Sequence, residues 1–253
     1  MVLIALLTAI ILHEVAHAIV AKWNGDLTAK FAKRISLNPA RHFSVVGFIM
    51  MVFVGFGFAK PVPVNADNFR NRKRGTVLVA FAGILVNLSL ALTAAFFLVI
   101  IERFGPFNSA SGYYFHFYPF IWLPRYSNAL EVTAVVFAIF FSTMVQINIA
   151  LALFNILPLY PLDGHRLLEA GLGSYNKVVK FLRNWGLAIL LGLVGFEFVI
   201  SLVSAQTGVM IGNQPLSVIS PLGSYMRFVG GTLGNTMMNL FRVMFGVTPQ
   251  WLV

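Results

Sequence analysis

The chain contains no cysteine, which excludes a disulfide framework and any thiolate metal site. Any metal ligands must therefore come from His, Asp and Glu. Charged residues are also scarce: they make up 10% of the 253 residues, whereas 58% are hydrophobic and the mean hydropathy is +0.83. Soluble domains contain about 25% charged residues. A soluble protein of this composition could not cover its surface with polar groups, so we expect a polytopic membrane protein.

Acidic residues are the scarcer charge, with eight Asp and Glu against 18 Lys and Arg and a net charge of +10. The cations lie between the apolar runs: ten fall within residues 22–74, four within 166–183 and only two within 102–130. Cytoplasmic loops of membrane proteins show this pattern. We therefore expect a lipid bilayer and no nucleic acid as partner. The two basic regions should face the cytoplasm, in a plasma or inner membrane that the chain crosses several times.

Several apolar runs are long enough to cross about 30 Å of hydrocarbon. They are Val2–Ala21, Thr76–Ile101, about Val132–Leu157 and about Asn184–Ala205. The run 43–59 has basic clusters on both sides, so we predict that it enters the membrane and returns. Residues 206–253 supply one more span or interfacial helices. The fold prediction is an all-α bundle of about four to six transmembrane helices with a re-entrant segment near residues 43–59.

The string His13-Glu14-Val15-Ala16-His17 lies inside the first apolar run. On a helix it places two imidazoles on one face, where both can ligate one Zn²⁺, and it places Glu14 as a general base. A charged side chain in hydrocarbon costs roughly 2.5 kcal/mol or more, so such groups usually mark a functional site. The alternative is that His13 and His17 bind no metal and only make polar contacts between helices. A cleaved signal peptide is disfavoured because no basic segment precedes the run and Lys22 follows it.

A third zinc ligand is expected at Asp163, because two histidines leave one protein ligand missing if water keeps the fourth position. The preceding span runs towards the cytoplasmic side, and Pro158 and Pro161 forbid a regular helix there. The chain can therefore turn aside at the depth of His13 and His17. The simpler alternative is that Asp163 only caps a helix at an Asp-Gly turn. Glu169 is a second candidate for the third ligand.

These motifs resemble the site-2 protease family of intramembrane zinc metalloproteases. The resemblance rests on His13-Glu14-x-x-His17 together with Asn155-x-x-Pro158-x-x-Pro161-Leu162-Asp163-Gly164. The segments 57–65, 68–71 and Ala82-Gly83-x-x-x-Asn87 also resemble compact prokaryotic members, and the similarity covers about residues 1–170. Where the family usually has Ala-Gly-Pro, this chain has Ile84, so the local bend near Asn87 lacks its usual proline.

The resemblance implies one zinc per chain, held by His13, His17 and Asp163, with Glu14 activating the attacking water. It implies single-span membrane proteins as substrates, cut within or near the bilayer in regulated intramembrane proteolysis. We expect one integral membrane domain over residues 1–253, with a catalytic core over about 1–170 and C-terminal helices over about 184–253. No PDZ domain or appended soluble domain is expected, so substrate choice rests on the membrane core or on a separate regulatory or adaptor protein.

Other polar residues have more than one interpretation. Asn87 is expected either to bind the unwound substrate backbone or to hydrogen-bond another helix. His42 and His165 are expected to be solvated at the membrane edge, and Glu197 has no assigned role. The competing functions are a metal-ion transporter and a non-catalytic scaffold. The absence of an internal repeat and the single compact constellation favour the protease.

Overall fold

The computed structural model describes residues 1–54, 57–105, 129–207, 210–211, 214–215 and 221–246. Within these ranges the chain is almost entirely helical. The helices are α1 Val2–Trp23, α2 Thr28–Phe31, α3 Val45–Val54, α4 Arg72–Phe104, α5 Ala129–Asn155, α6 Asp163–Leu172, α7 Lys177–Thr207, α8 Pro221–Tyr225 and α9 Gly231–Met244. A π-helical segment, Met226–Gly230, joins α8 to α9, and the two-residue strands β1 Met210–Ile211 and β2 Gln214–Pro215 pair antiparallel.

Four of the described helices are long and apolar enough to cross a membrane: α1, α4, α5 and α7 over Lys177–Ser204. This confirms the predicted all-α polytopic class. The four spans among the described residues equal the lower limit of the predicted four to six. The C-terminal helices α8 and α9 are shorter, and α9 packs along α4 and α5. Most of the cation-poor region 102–130 falls on residues 106–128, which lie outside the described residues.

The core of the bundle is built where α1, α4 and α5 meet. Small side chains dominate this interface, as is usual where helices approach closely in a membrane. The fully buried alanines on these three helices are Ala5, Ala9, Ala18, Ala21, Ala80, Ala91, Ala95 and Ala138. Because bulky side chains are few here, the middle of α1 lies directly against α4, which positions the histidines of α1.

The re-entrant prediction agrees with the positions of residues 42–54 and 57–60. Helix α3 has ten residues, too few to cross the membrane. The Lys60 N–H donates to the His42 carbonyl at 2.8 Å, so the two ends of the segment are neighbours. Phe58 lies directly on Gly47, where a Cβ would collide with the Phe58 backbone. The chain therefore enters and returns on the same side of the bundle.

Helix α4 continues without interruption through Ile84 and Asn87 for 33 residues. An α-helix needs a proline, a π-bulge or an inserted side chain to kink sharply. Because Ile84 replaces the usual proline, α4 has no feature here that would kink it. The segment that differs from the family motif therefore lies in a regular helix.

Asp26 ties the end of α1 to the segment that leads into α4. Its fully buried carboxylate accepts hydrogen bonds from the Asn65 N–H at 2.8 Å, the Asn68 side chain at 2.9 Å and the Thr28 N–H at 3.0 Å. Burial favours the neutral acid, but the bonds from Asn68 and Thr28 outweigh it and hold the pKa of Asp26 below its usual value. The basic regions on either side are thus held together at one end of the bundle.

Candidate metal centre

Two imidazoles of α1 lie one turn apart and face α4. His13 is 7% exposed and His17 4% exposed. The Nδ1 atom of His17 lies 2.7 Å from the carbonyl oxygen of Val79. A carbonyl can only accept a hydrogen bond, so Nδ1 carries the proton and Nε2 offers its lone pair to the interior of the site.

Asp163 reaches the histidines because α5 ends at Asn155 and the chain turns before α6 begins at Asp163. Gly164 allows this turn: a Cβ there would lie 2.6 Å from the carbonyl carbon of Ile156. The Asp163 carboxylate is 6% exposed, and its Oδ2 lies 3.0 Å from His17 Nε2 and 3.4 Å from His13 Nε2. The two Nε2 atoms are 3.0 Å apart.

The arrangement fits a tetrahedral zinc ion. Ligand atoms about 2.0–2.2 Å from zinc in a tetrahedron lie roughly 3.3–3.5 Å from one another, and the three donor pairs here are 3.0, 3.0 and 3.4 Å apart. Asp163 Oδ2 is buried and makes no well-aligned hydrogen bond within the described part of the chain. A buried carboxylate oxygen that faces imidazole nitrogens must be paired, either by a cation held between them or by a proton on an imidazole.

Gly83 of α4 forms the wall behind the two histidines. A Cβ at this position would lie 2.6 Å from His13 Nδ1 and 2.6 Å from His17 Nε2 and would also collide with His13 Cε1. These separations are shorter than any ordinary van der Waals contact. Only glycine therefore allows α4 to approach the imidazoles this closely, a steric role that the motif alone did not reveal.

Glu14 is half-buried beside the site. Its Oε2 accepts a hydrogen bond from the Val62 N–H at 2.8 Å. Val62 lies between Pro61 and Pro63, which have no N–H, so it is the single backbone donor of that tripeptide. The group of residues whose donor atoms converge is His13, His17 and Asp163, without Glu14.

Asn87 lies one turn beyond Gly83 on α4 and is fully buried. Neither atom of its side-chain amide has a hydrogen-bond partner among the described residues. Glu169, the alternative third ligand, forms a salt bridge with Arg183 at 2.8 Å and does not join the histidine cluster.

The prediction that His42 and His165 are solvated was wrong, because each is 2% exposed. The His42 ring nitrogen Nε2 lies 2.7 Å from the Ser36 carbonyl oxygen, and His165 packs edge-on against the Tyr160 ring. His42 therefore contacts a carbonyl of its own loop, and His165 lies in the first turn of α6 against Tyr160, contacts that the polarity of the sequence does not show.

Glu197 also has a partner. Its Oε2 accepts a hydrogen bond at 3.0 Å from the N–H of Gly223, in the first turn of α8. The first N–H groups of a helix have no partner within the helix and attract anions. The contact gives this carboxylate of α7 a structural role.

An apolar cavity of about 390 Å³ lies along the N-terminal half of α1. Its walls come from the N-terminal half of α1, the re-entrant segment and α5, with Met226 at one side. Ile10 and Ile11 line it just before His13 on α1. The cavity is therefore adjacent to the helix that carries the histidines.

The model of Peptidase family M50 matches residues 1–193, which contain every residue of the site described above. A Bacillus subtilis (strain 168) protein named "Putative zinc metalloprotease YwhC" is 39% identical over 166 residues. That match covers 66% of this chain and 66% of the relative, just under two thirds of the relative's length. No solved structure matches the chain. The four apolar helices and the family match together identify the chain as a multi-pass membrane protein that belongs to peptidase family M50, the site-2 protease family.

Proposed function

We propose that the protein is a zinc-dependent endopeptidase that hydrolyses peptide bonds within or near the transmembrane segments of single-span membrane proteins. The observation that carries this proposal is the convergence of His13 Nε2, His17 Nε2 and Asp163 Oδ2 inside an apolar bundle, with the Glu14 carboxylate beside them. Membership of the peptidase family and the name of the bacterial relative support the same chemistry.

Several groups of the chain have separate roles in the proposed hydrolysis. A bound zinc ion would lower the pKa of the attacking water and polarise the scissile carbonyl. Glu14 accepts the proton of that water on its carboxylate and delivers it to the leaving nitrogen. The Val62 N–H holds Glu14 Oε2, and the Val79 carbonyl fixes the ring orientation of His17, so both side chains are oriented before substrate arrives.

The substrate is proposed to enter through the apolar cavity between α1, the re-entrant segment and α5. A helical substrate hides its carbonyls in its own hydrogen bonds, so it must unwind locally before it can be attacked. Asn87 is the proposed partner of the freed backbone. Because Asn87 is fully buried, that contact requires α4 to separate from its neighbours.

We propose that the metal centre lies towards the cytoplasmic side of a plasma or inner membrane. The support is the distribution of charge: residues 22–74 contain ten cations, and Asp26 holds the two halves of this region together. Positively charged loops remain in the cytoplasm. A separate adaptor protein is the proposed source of regulation.

Transport of metal ions is less well supported. A transit path needs several metal sites along a route, whereas the described residues contain a single group of three or more His, Asp or Glu whose donor atoms converge. Glu14 stands beside that group and not within it, which suits a general base.

The proposal is tested with purified protein and a single-span reporter in proteoliposomes. We expect the wild type to cleave the reporter, a chelator to stop cleavage and added zinc to restore it. Glu14→Gln should retain zinc and lose cleavage, because the amide cannot accept the water proton. Asp67→Asn, which neutralises a carboxylate that is 72% exposed, is the matched control and should cleave normally. Cleavage by Glu14→Gln at the wild-type rate would overturn the general-base assignment.

A further inference from the structure

A second cavity, of about 530 Å³, opens at the basic end of the bundle. It lies between the first turns of α4, the segment that precedes α4, and α6 with the turn that follows it. Its charged lining residues are Arg72, Lys73, Arg166 and Glu169. Nothing in the proposed hydrolytic mechanism uses this cavity.

The charges around the cavity do not balance. Glu169 is already paired with Arg183 at 2.8 Å, and Arg72 is paired with Asp67 at 3.0 Å. Within the described ranges, Lys73 and Arg166 take part in no salt bridge. The N-terminus of the 33-residue helix α4 adds a partial positive charge. The cavity therefore has positive charge available for an anion.

The cavity also adjoins the candidate metal centre. Val79 lines it, and the Val79 carbonyl oxygen is the partner of His17 Nδ1 at 2.7 Å. Arg166 lies three residues after Asp163 on α6, about 4.5 Å along the helix axis. An extended chain advances about 3.3 Å per residue, so one or two residues of a bound polypeptide span the separation of Asp163 and Arg166.

The cytoplasmic flanks of most single-span proteins carry Lys and Arg. Such a flank is repelled by Lys73 and Arg166, whereas an acidic flank forms charge-assisted hydrogen bonds with them. We propose that this cavity is a subsite for an Asp or Glu side chain of the substrate, one or two residues from the scissile bond on the basic side of the protein. The inference rests on the proposed function and makes Arg166 and Lys73 specificity-determining residues.

The test uses three single-span reporters that are identical except for Glu, Gln or Lys at that flanking position. The wild type should cleave them in the order Glu, Gln, Lys, with about a fivefold to tenfold difference in kcat/KM between Glu and Lys, as expected for partly exposed charge pairs. Lys73→Glu and Arg166→Glu should each reverse the order, and Arg166→Lys should preserve it. Arg74→Glu is the matched control, because Arg74 is an exposed neighbour that does not line the cavity.

Zinc content and cleavage of the Gln reporter are measured for every variant, because Arg166 is close to Asp163 in sequence. Lys73 lies on a different helix, so Lys73→Glu still tests the subsite if Arg166→Glu loses zinc. The inference is overturned if the wild type cleaves all three reporters equally. It is also overturned if charge reversal changes all three rates by the same factor, which would indicate a lipid phosphate or a structural role for the cavity. If the wild type cleaves no reporter, the proposed function itself fails.

Discussion

The replacement Gly83→Ala should disrupt the metal centre without replacing any of its proposed ligands. The new methyl group would lie 2.6 Å from His13 Nδ1 and 2.6 Å from His17 Nε2, whereas an ordinary contact is about 3.5 Å. The imidazoles or α4 must therefore move by about 1 Å. Metal sites tolerate deviations of only about 0.2 Å in ligand distance. We expect zinc affinity to fall by at least about 10–100-fold, the usual range for damage to the surroundings of the ligands.

The assay is zinc content after dialysis against graded chelator, combined with reporter cleavage. Gly192→Ala is the matched control: it lies in a membrane-spanning helix, and a Cβ there meets nothing within 4 Å. Both substitutions gain roughly the same helix propensity, about 1 kcal/mol, so only the collision differs. Circular dichroism and size exclusion in detergent check the fold. If Gly83→Ala keeps zinc and activity at the level of Gly192→Ala, the close approach of α4 to the histidines is wrong.

The remaining predictions concern stability and the substrate contact. Because the pKa of Asp26 is lowered in the folded state, its stabilising contribution is present above its unfolded pKa of about 4 and is lost as the pH falls through the folded value. Thermal unfolding of Asp26→Asn should therefore depend less on acid than that of the wild type, and identical pH profiles would refute this. Arg242 forms a two-pronged salt bridge with Glu102 at 2.8 and 3.0 Å, with side chains 14% and 8% exposed. Arg242→Met should cost about 3 kcal/mol by leaving Glu102 buried and unpaired, and adding Glu102→Gln should recover most of that loss; no recovery would contradict the pairing. Asn87→Leu should leave the unfolding temperature unchanged or raised, because its amide is unpaired, while lowering kcat; unchanged kcat would remove Asn87 from the substrate site.

The convergence of His13, His17 and Asp163 could be predicted because local chemistry decides it. The spacing of His13 and His17 specifies one helix face, and Pro158 and Pro161 end α5 early enough for Asp163 to meet them, as the structure shows. Hydropathy predicted the four described spans, and charge predicted that the two ends of the segment 43–59 lie close together.

What sequence reasoning missed depends on tertiary contact. The burial of His42 and His165 results from their contacts with the Ser36 carbonyl and the Tyr160 ring, whereas polarity alone suggested solvent. The role of Gly83 as the wall of the site, and the Val62 N–H that holds Glu14, require distances between segments far apart in the chain. Such contacts have no periodic signal in a single sequence.

The central claim is that His13, His17 and Asp163 hold one zinc ion while Glu14 acts as base without binding it. Zinc stoichiometry of the purified wild type, Asp163→Ala and Glu14→Gln tests it most directly. The account predicts about one zinc per chain in the wild type and in Glu14→Gln, as for a site with three protein ligands and one open position, and loss of zinc in Asp163→Ala. No zinc in the wild type, or a zinc content that Asp163→Ala leaves unchanged, would contradict it.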